Sequence, residues 1–304
     1  MKFLVYGVNG WIGAKVFKLL QEDSSVEVVA GNSRVNDVNE LEEEIQNVKP
    51  THVISLIGRT HGTYEGTVIG TIDYLEKPGK LVENVRDNLF SPVVLSLLAN
   101  KYNFHFSYLG TGCIFNFDET HPYGEERNGF TEESVPNFFG SSYSIVKGFT
   151  DQLMHLFDTS VLNIRIRMPI TDEFNHRNFI TKITNYEKIC SIPNSMTVLN
   201  ELLPLMIDMS KKGVTGTVNL TNPGLISHNE ILEMYKEIVD PAFTWKNFTI
   251  DEQNEVLASG RSNNFLETRL LESLYPNVKN IKDSVRDMLV SMASNNNSNN
   301  KCIK

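Results

Sequence analysis

Cysteine, basic charge and long apolar runs are all scarce in this 304-residue chain, and each scarcity removes a class of protein. Three cysteines (Cys113, Cys190 and Cys302) are too few and too scattered for a disulfide framework, so a reducing cytoplasm is the expected setting. Acidic residues outnumber basic ones 37 to 28, a formal net charge of -9, which argues against a nucleic-acid partner. No apolar run approaches the roughly 20 residues of a membrane span, so no membrane partner is expected. The apolar stretch in Met1-Lys2-Phe3-Leu4-Val5 is too short for a secretory signal and reads as a first strand. No cysteine–histidine spacing suggests a metal site, and none is expected.

What the chain does contain is an alternation of strand and helix signals. Lys2–Tyr6 is a short apolar run, Gly7-Val8-Asn9-Gly10-Trp11-Ile12-Gly13 follows at once, and residues 14–20 have helical periodicity. Strand, glycine turn and helix in that order make a dinucleotide pyrophosphate site, here with G-x-x-G-x-x-G spacing. Gly7 permits the turn, Gly10 lets backbone approach phosphate, and Gly13 lets helix pack on strand. Trp11 and Ile12 belong to the same expected cofactor contact. After a strand at 26–30 come Asn32-Ser33-Arg34, where an NAD enzyme would place a carboxylate. A hydroxyl and a guanidinium suit a 2′-phosphate, so NADPH is the expected cofactor; an ordinary solvated Arg34 is the competing view. An acidic helix is expected over 38–48, with Glu42-Glu43-Glu44 on its solvated face. A buried strand over 51–58 ends at Gly58, where cofactors sit in such sheets. Residues 59–79 read as a mobile loop, residues 80–100 as a long helix carrying a cofactor-contacting Asn88, and 104–110 as another strand. The fold class is therefore α/β, a doubly wound parallel (Rossmann) sheet.

Chemistry gathers beyond that strand. Thr111 can offer a hydroxyl to a substrate oxygen, and about thirty residues later Tyr143 and Lys147 share one helix face at i, i+4. An ammonium one turn from a phenol favours the phenolate and moves its pKa toward neutrality. The pair alone is a weak motif. Its order after a glycine loop and a strand-end hydroxyl resembles the extended short-chain dehydrogenase/reductase superfamily.

A narrower resemblance rests on six strings in order: Gly110-Thr111-Gly112-Cys113-Ile114-Phe115, Pro136-Asn137-Phe138, residues 165–170, residues 177–182, residues 192–199, and Arg261-Ser262-Asn263-Asn264. Together they resemble the bifunctional nucleotide-rhamnose synthase/epimerase-reductase family. The resemblance implies 3,5-epimerisation and NADPH-dependent 4-keto reduction of UDP-4-keto-6-deoxyglucose to UDP-L-rhamnose. It implies catalytic roles for Thr111, Cys113, Tyr143, Lys147 and Lys182. Cys113 and Lys182 would exchange protons beside the ketone, with His176 as the rival to Lys182. Tyr143 and Thr111 would hold O4, and Lys147 would bind the nicotinamide ribose. It also implies a separate 4,6-dehydratase as metabolic partner and a homodimer, the usual arrangement of the superfamily. The uridine could equally be a deoxythymidine on these residues. A reductase without epimerase activity and an idle NADP-binding regulatory subunit remain as alternatives.

The domain boundaries are expected at 1–168 for the NADP-binding domain and 169–290 for a smaller substrate-binding lobe with one strand returning to the sheet. An Asn-rich, disordered tail is expected over 291–304. Met168 and Ile170 follow a strand and are expected beside the nicotinamide. Asn178, Arg261 and Asn263 are the expected substrate contacts, Arg261 through its fork on the diphosphate. A short strand is expected over 217–221. Ser227 and Glu230 form a capping box that opens a helix, and His228 within it is expected to be exposed.

Overall fold

In the computed structural model, which describes the backbone of residues 1–301 and the side chains of 1–295, six strands form one sheet. They are β1 (Lys2–Tyr6), β2 (Glu27–Ala30), β3 (His52–Ser55), β4 (His105–Thr111), β5 (Val161–Ile166) and β6 (Gly216–Asn219). Their order across the sheet is β6-β5-β4-β3-β1-β2. β1 pairs parallel with both β2 and β3, and β3 pairs parallel with β4. The chain leaves the middle at β1, runs to one edge and returns on the other side. This reversal opens a crevice at the carboxyl ends of β1 and β3, where such sheets take ligands. Leu4, Tyr6, Val53, Phe106 and Tyr108 bury one sheet face against Leu95, Leu98 and Ala99 of a helix. Near-continuous apolar strands of this kind are what a sheet covered on both faces demands.

The chain forms two compact units, and they do not meet at a single boundary near residue 168. The first comprises Met1–Ile114, Glu132–Arg165 and Leu203–Val218; the second comprises Phe115–Thr131, Ile166–Leu202 and Asn219–Lys304. One strand from beyond residue 168, β6, lies in the sheet, and residues 115–131 depart from the middle of the first unit, which a division at residue 168 does not contain. The second unit has its own core, with Ile170, Ile180, Met196, Val198, Ile231, Val285, Leu289 and Met292 among its buried side chains.

Four local expectations need correction. Residues 59–79 hold a hairpin (Gly62–Tyr64 paired with Thr67–Ile69) and a 3-10 turn at Ile72–Glu76, anchored by buried Tyr74 and Leu75. The long helix is interrupted, running α-helical at Leu81–Val85 and Ser91–Tyr102 with a π turn at Arg86–Phe90 between. The Asn-rich segment continues the helix Ile281–Lys301; buried Met288, Leu289 and Met292 carry that helix past residue 291. Residues 302–304 of the expected tail lie outside the described residues. Glu44 does not belong to a merely solvated face: it accepts from Tyr6 Oη at 2.8 Å and from the backbone N–H groups of Asn32 and Ser33 at 2.8 and 3.2 Å.

Candidate active site

The glycine turn lies at the carboxyl end of β1. Gly7 has φ +84°, and a Cβ there would meet the Leu56 carbonyl carbon at 2.9 Å. A Cβ on Gly13 would meet Gly7 O at 2.0 Å, so helix Trp11–Glu22 can approach the strand only through glycine. Gly10 caps that helix without a side-chain hydrogen bond, and the first backbone N–H groups of such a helix end suit a phosphate. This cradle fits a dinucleotide pyrophosphate. Arg34 is exposed at the end of β2, in a loop whose preceding residues Glu44 holds by their N–H groups. The arrangement leaves the guanidinium of Arg34 and the Ser33 hydroxyl side by side in sequence on a braced backbone.

Asn88 plays a different part from the one expected. Fully buried in the π turn, it accepts from Arg59 N at 3.0 Å and donates to Arg59 O and Asn84 Oδ1 at 2.9 Å each. Thr150 donates to its carbonyl at 2.7 Å. Its side-chain amide thus ties the Arg59 backbone to Asn84 on the preceding helix, while its main-chain carbonyl is held by Thr150.

Beyond β4, three expected residues do gather. Thr111 and Tyr143 are hydrogen-bonded to each other, both nearly buried, and Cys113 lies near enough for a thiolate there to oppose ionisation of the phenol. Cys113 N donates to Thr111 Oγ1 at 3.1 Å, and its thiol is free. Ser141 caps the helix Ser142–Met154, and Ser144 Oγ donates to Cys113 O at 2.7 Å, pinning the cysteine turn to the helix. Sequence reasoning passed over Ser144. The expected lowering of the Tyr143 pKa is reversed: burial, then Cys113, push it well up, and the Thr111 bond offsets only part. Lys147 does lie on the same buried face, but its ammonium donates to Tyr108 Oη at 2.6 Å. Burial brings the Lys147 pKa down to about 7, against the pull of Asp151 and Cys113.

In the second unit, Lys182 stands on helix Phe179–Asn185 between two guanidiniums. Burial, then Arg177, then Arg261 lower its pKa. His176 is exposed and accepts from Arg177 Nε at 3.4 Å, so of the two rivals Lys182 has the environment of an acid/base group. Arg261 donates to Ser259 O and Oγ at 3.0 and 2.6 Å. Arg167, missed in the sequence, holds the segment around it. Fully buried, it donates to Ser262 O at 2.8 Å, Asn264 O at 3.2 Å and Asn194 Oδ1 at 2.9 Å. Asn263 braces Arg261, donating to its carbonyl at 3.2 Å, and accepts from Asn194 Nδ2 at 2.9 Å.

Two expected contacts are structural. Asn178 caps helix Phe179–Asn185 and is consumed by Thr171 and Glu173 carbonyls at 2.8 Å each, with no exposure left for substrate. Ile170 is wholly buried in the second unit's core, so its side chain packs protein rather than nicotinamide. Met168 has φ +39°, a strained value for a branchless side chain that marks a held turn before Pro169–Ile170. His228, expected to be exposed, stacks edge-on against Phe179 at 5.2 Å and has its pKa held down to about 4, first by burial. A cavity of about 430 Å³ in the second unit, lined by Tyr123, Cys190, Asn229, Asn247 and Phe248 among others, includes none of the expected site residues. Among the described residues no cluster could hold a metal, and no helix is long and apolar enough to cross a membrane.

No family model matches the chain. Whole-chain relatives do. The L780 protein of Acanthamoeba polyphaga mimivirus is 53% identical over 292 residues, covering 96% of this chain and 99% of that one. Its crystal structure, described as a UDP-rhamnose synthase, aligns with a TM-score of 0.90. A bifunctional dTDP-4-dehydrorhamnose 3,5-epimerase/reductase of Arabidopsis thaliana is 42% identical over 284 residues, 93% of this chain and 90% of that protein. A dTDP-4-dehydrorhamnose reductase of Clostridium acetobutylicum shares the fold (TM-score 0.76, 18% identity, 95% of this chain and 98% of that one). On whole-length identity and on the Thr111–Cys113–Tyr143 cluster that its sheet presents, the chain belongs to the nucleotide-rhamnose synthase/epimerase-reductase family.

Proposed function

We propose that the protein converts UDP-4-keto-6-deoxyglucose to UDP-L-rhamnose by 3,5-epimerisation followed by 4-keto reduction. The observation that carries this is the Thr111–Cys113–Tyr143 cluster at the end of β4, in a chain 53% identical to a UDP-rhamnose synthase. Inversion at C3 and C5 needs a proton removed α to the ketone, an enolate held, and a proton returned. Cys113 and Lys182 exchange those protons. The thiol is free and partly accessible, and an ammonium destabilised by burial and two guanidiniums gives up its proton readily. Thr111 and Tyr143 donate to O4 as charge develops there.

Reduction follows at the same oxygen. NADPH, when bound, would supply the hydride for C4. Tyr143 then gives its proton to O4, and the upward-shifted phenol is the right species for that step because it is fully protonated at neutral pH. Lys147 offsets the phenolate left behind and holds the nicotinamide ribose. Arg34 with Ser33 favours the 2′-phosphate of NADPH, and Arg261 takes the UDP diphosphate. A separate 4,6-dehydratase supplies the keto sugar. The free thiol at Cys113 suits a reducing cytoplasm. The working form is a homodimer: Leu81, Val82, Val85 and Leu97 on one helical run and Ile145, Phe149 and Leu156 on its neighbour are large, apolar and exposed, a face that a second copy would cover.

The test is incubation in D₂O with UDP-4-keto-6-deoxyglucose, with and without NADPH, read by NMR. Deuterium at C3 and C5, with rhamnose formed only when NADPH is present, is the expected result. Reduction without deuterium would leave a reductase alone; neither activity would leave a regulatory subunit.

A further inference from the structure

The partner of the Lys147 ammonium is a residue that no motif marks. Tyr108 lies in the middle of β4, 1% exposed, in the core between sheet and helix. A buried phenol normally needs a hydrogen-bond partner, and this one accepts from Lys147 Nζ at 2.6 Å. The same ammonium is 4.7 Å from the Tyr108 ring centroid, so ring and hydroxyl both bear on one charge. A second acceptor, Leu109 O, is at 3.5 Å, the outer limit of a hydrogen bond.

The other groups around Lys147 are committed elsewhere. Asp151, one turn further along the same helix, accepts from Arg165 Nε and a terminal guanidinium nitrogen at 2.8 and 2.7 Å and from Asn163 Nδ2 at 2.8 Å. His155, another turn on, stands 3.9 Å from that carboxylate. On the packed helical run, Glu83 is bonded by Lys80 and Tyr74, and Asp87 by Arg59 and Arg86. Asn84 and Asn88 there are neutral and bonded to each other. Cys113 and Tyr143, the latter a phenol that burial keeps protonated, complete the surroundings. Tyr108 is thus the one close acceptor that these contacts give to an ammonium removed from water.

We propose that Tyr108 is a positioning residue for the reduction: hydroxyl and ring together fix the Lys147 ammonium in place and keep it charged beside Tyr143. The inference rests on the role given to Lys147 above. Loss of the hydroxyl removes a charge-assisted bond and favours neutral lysine. A neutral Lys147 cannot offset the Tyr143 phenolate, so reduction fails at lower pH than before.

The experiment is the Tyr108→Phe variant, which keeps the ring. The pH dependence of kcat/KM for reduction and the ¹³Cε NMR titration of Lys147 in cofactor-free protein are both measured. The expected result is an alkaline limb and a lysine midpoint that each move about one pH unit toward acid, hence roughly a tenfold loss on the alkaline side, with little change below the limb. A limb and midpoint that stay put while Tm alone changes would make Tyr108 a packing residue and overturn the inference. Lys147→Met runs alongside. If that variant still reduces the keto sugar at the native rate, the role of Lys147 itself falls, and this inference with it; if it does not, a static Tyr108→Phe limb sinks Tyr108 alone. Should Tyr108→Phe not fold, the native protein decides: the ¹³Cζ signal of Tyr108 must move with the Lys147 midpoint, and silence there overturns the contact.

Discussion

In the proposed mechanism Tyr143 serves as a hydrogen-bond donor in one reaction and as an acid in the next, and a desolvated phenol suits both. Its proton is held by burial and by Cys113 rather than loosened by Lys147. Tyr143→Phe should therefore lower kcat for reduction by about 10² to 10⁴-fold with a much smaller change in KM, as loss of a general acid does. Steady-state kinetics at pH 7 checks this, and a loss confined to KM would assign Tyr143 to binding alone. Cys113→Ser separates the two activities. It should abolish deuterium uptake at C3 and C5 while a pre-epimerised keto sugar is still reduced within a few-fold of the native rate. Persistent exchange in that variant would move the proton transfer to another group. The reach of the sequence at this scale follows from what a motif encodes. Tyr143 and Lys147 are legible because helical spacing fixes their common face. Tyr108, Ser144 and Arg167 are not, since each acts on a partner 31 or more positions away or through a strand pairing that no local pattern contains. Asn178 and Ile170 were overread for the opposite reason. They stand in strings that resemble a family of enzymes, yet one is consumed as a helix cap and the other lies in a core.

Elements were more legible than side chains wherever a period was long enough to count. The helix Val38–Val48 and the capping box at Ser227 and Glu230 lie where spacing and capping chemistry place them. The hairpin within residues 59–79 escaped because its paired strands are three residues each and turn at Glu65-Gly66, both with positive φ. The π turn at Arg86–Phe90 escaped because a π turn leaves the hydrophobic pattern almost unchanged while it re-aims one residue, here Asn88. The helices that the proposed dimer would use are the run starting at Leu81 and Ser142–Met154. Phe149, on the latter, is 60% exposed, an unusual position for a phenylalanine on a helix whose other face is fully used. Phe149→Glu should convert a dimer to a monomer, with the far-UV spectrum retained, because a charge placed in an apolar contact between two-fold copies is introduced twice. Light scattering after gel filtration reads the mass. A native protein that already runs as a monomer, or a variant that stays dimeric, removes this face from the assembly.

At the scale of the molecule, each unit has its own core and each carries partly buried imidazole, which gives stability a defined dependence on pH. In the first unit His52 stacks on Phe3 at 4.7 Å, and burial, then the neighbouring His105, bring its pKa down to about 4. His105 is lowered as well, chiefly by burial, although its bond to Val214 O opposes the shift. In the second unit His228 is held down to about 4 by burial, with Arg167 acting in the same direction against a bond to Ile192. Once unfolded, each ring returns to about 6.5. Between about pH 6.5 and 4 the unfolded chain therefore binds more protons than the folded one, and stability falls as pH falls through that window. Carboxylates held low, such as Asp118 at about 2 and the lowered Glu83 and Glu230, begin to cost stability from about pH 5 downward, so the histidines act alone only in the upper part of the window. The expected outcome is a Tm level from pH 8 to 6.5 and roughly 5 °C or more lower at pH 4.5, with a shallower descent in His52→Phe, which keeps the stack and removes the proton site. Calorimetry across that range is the measurement. A native Tm that stays level down to pH 4.5 would mean that these rings take up protons freely in the folded state. The packing of His52 on Phe3 and of His228 on Phe179 would then not be what excludes water from them.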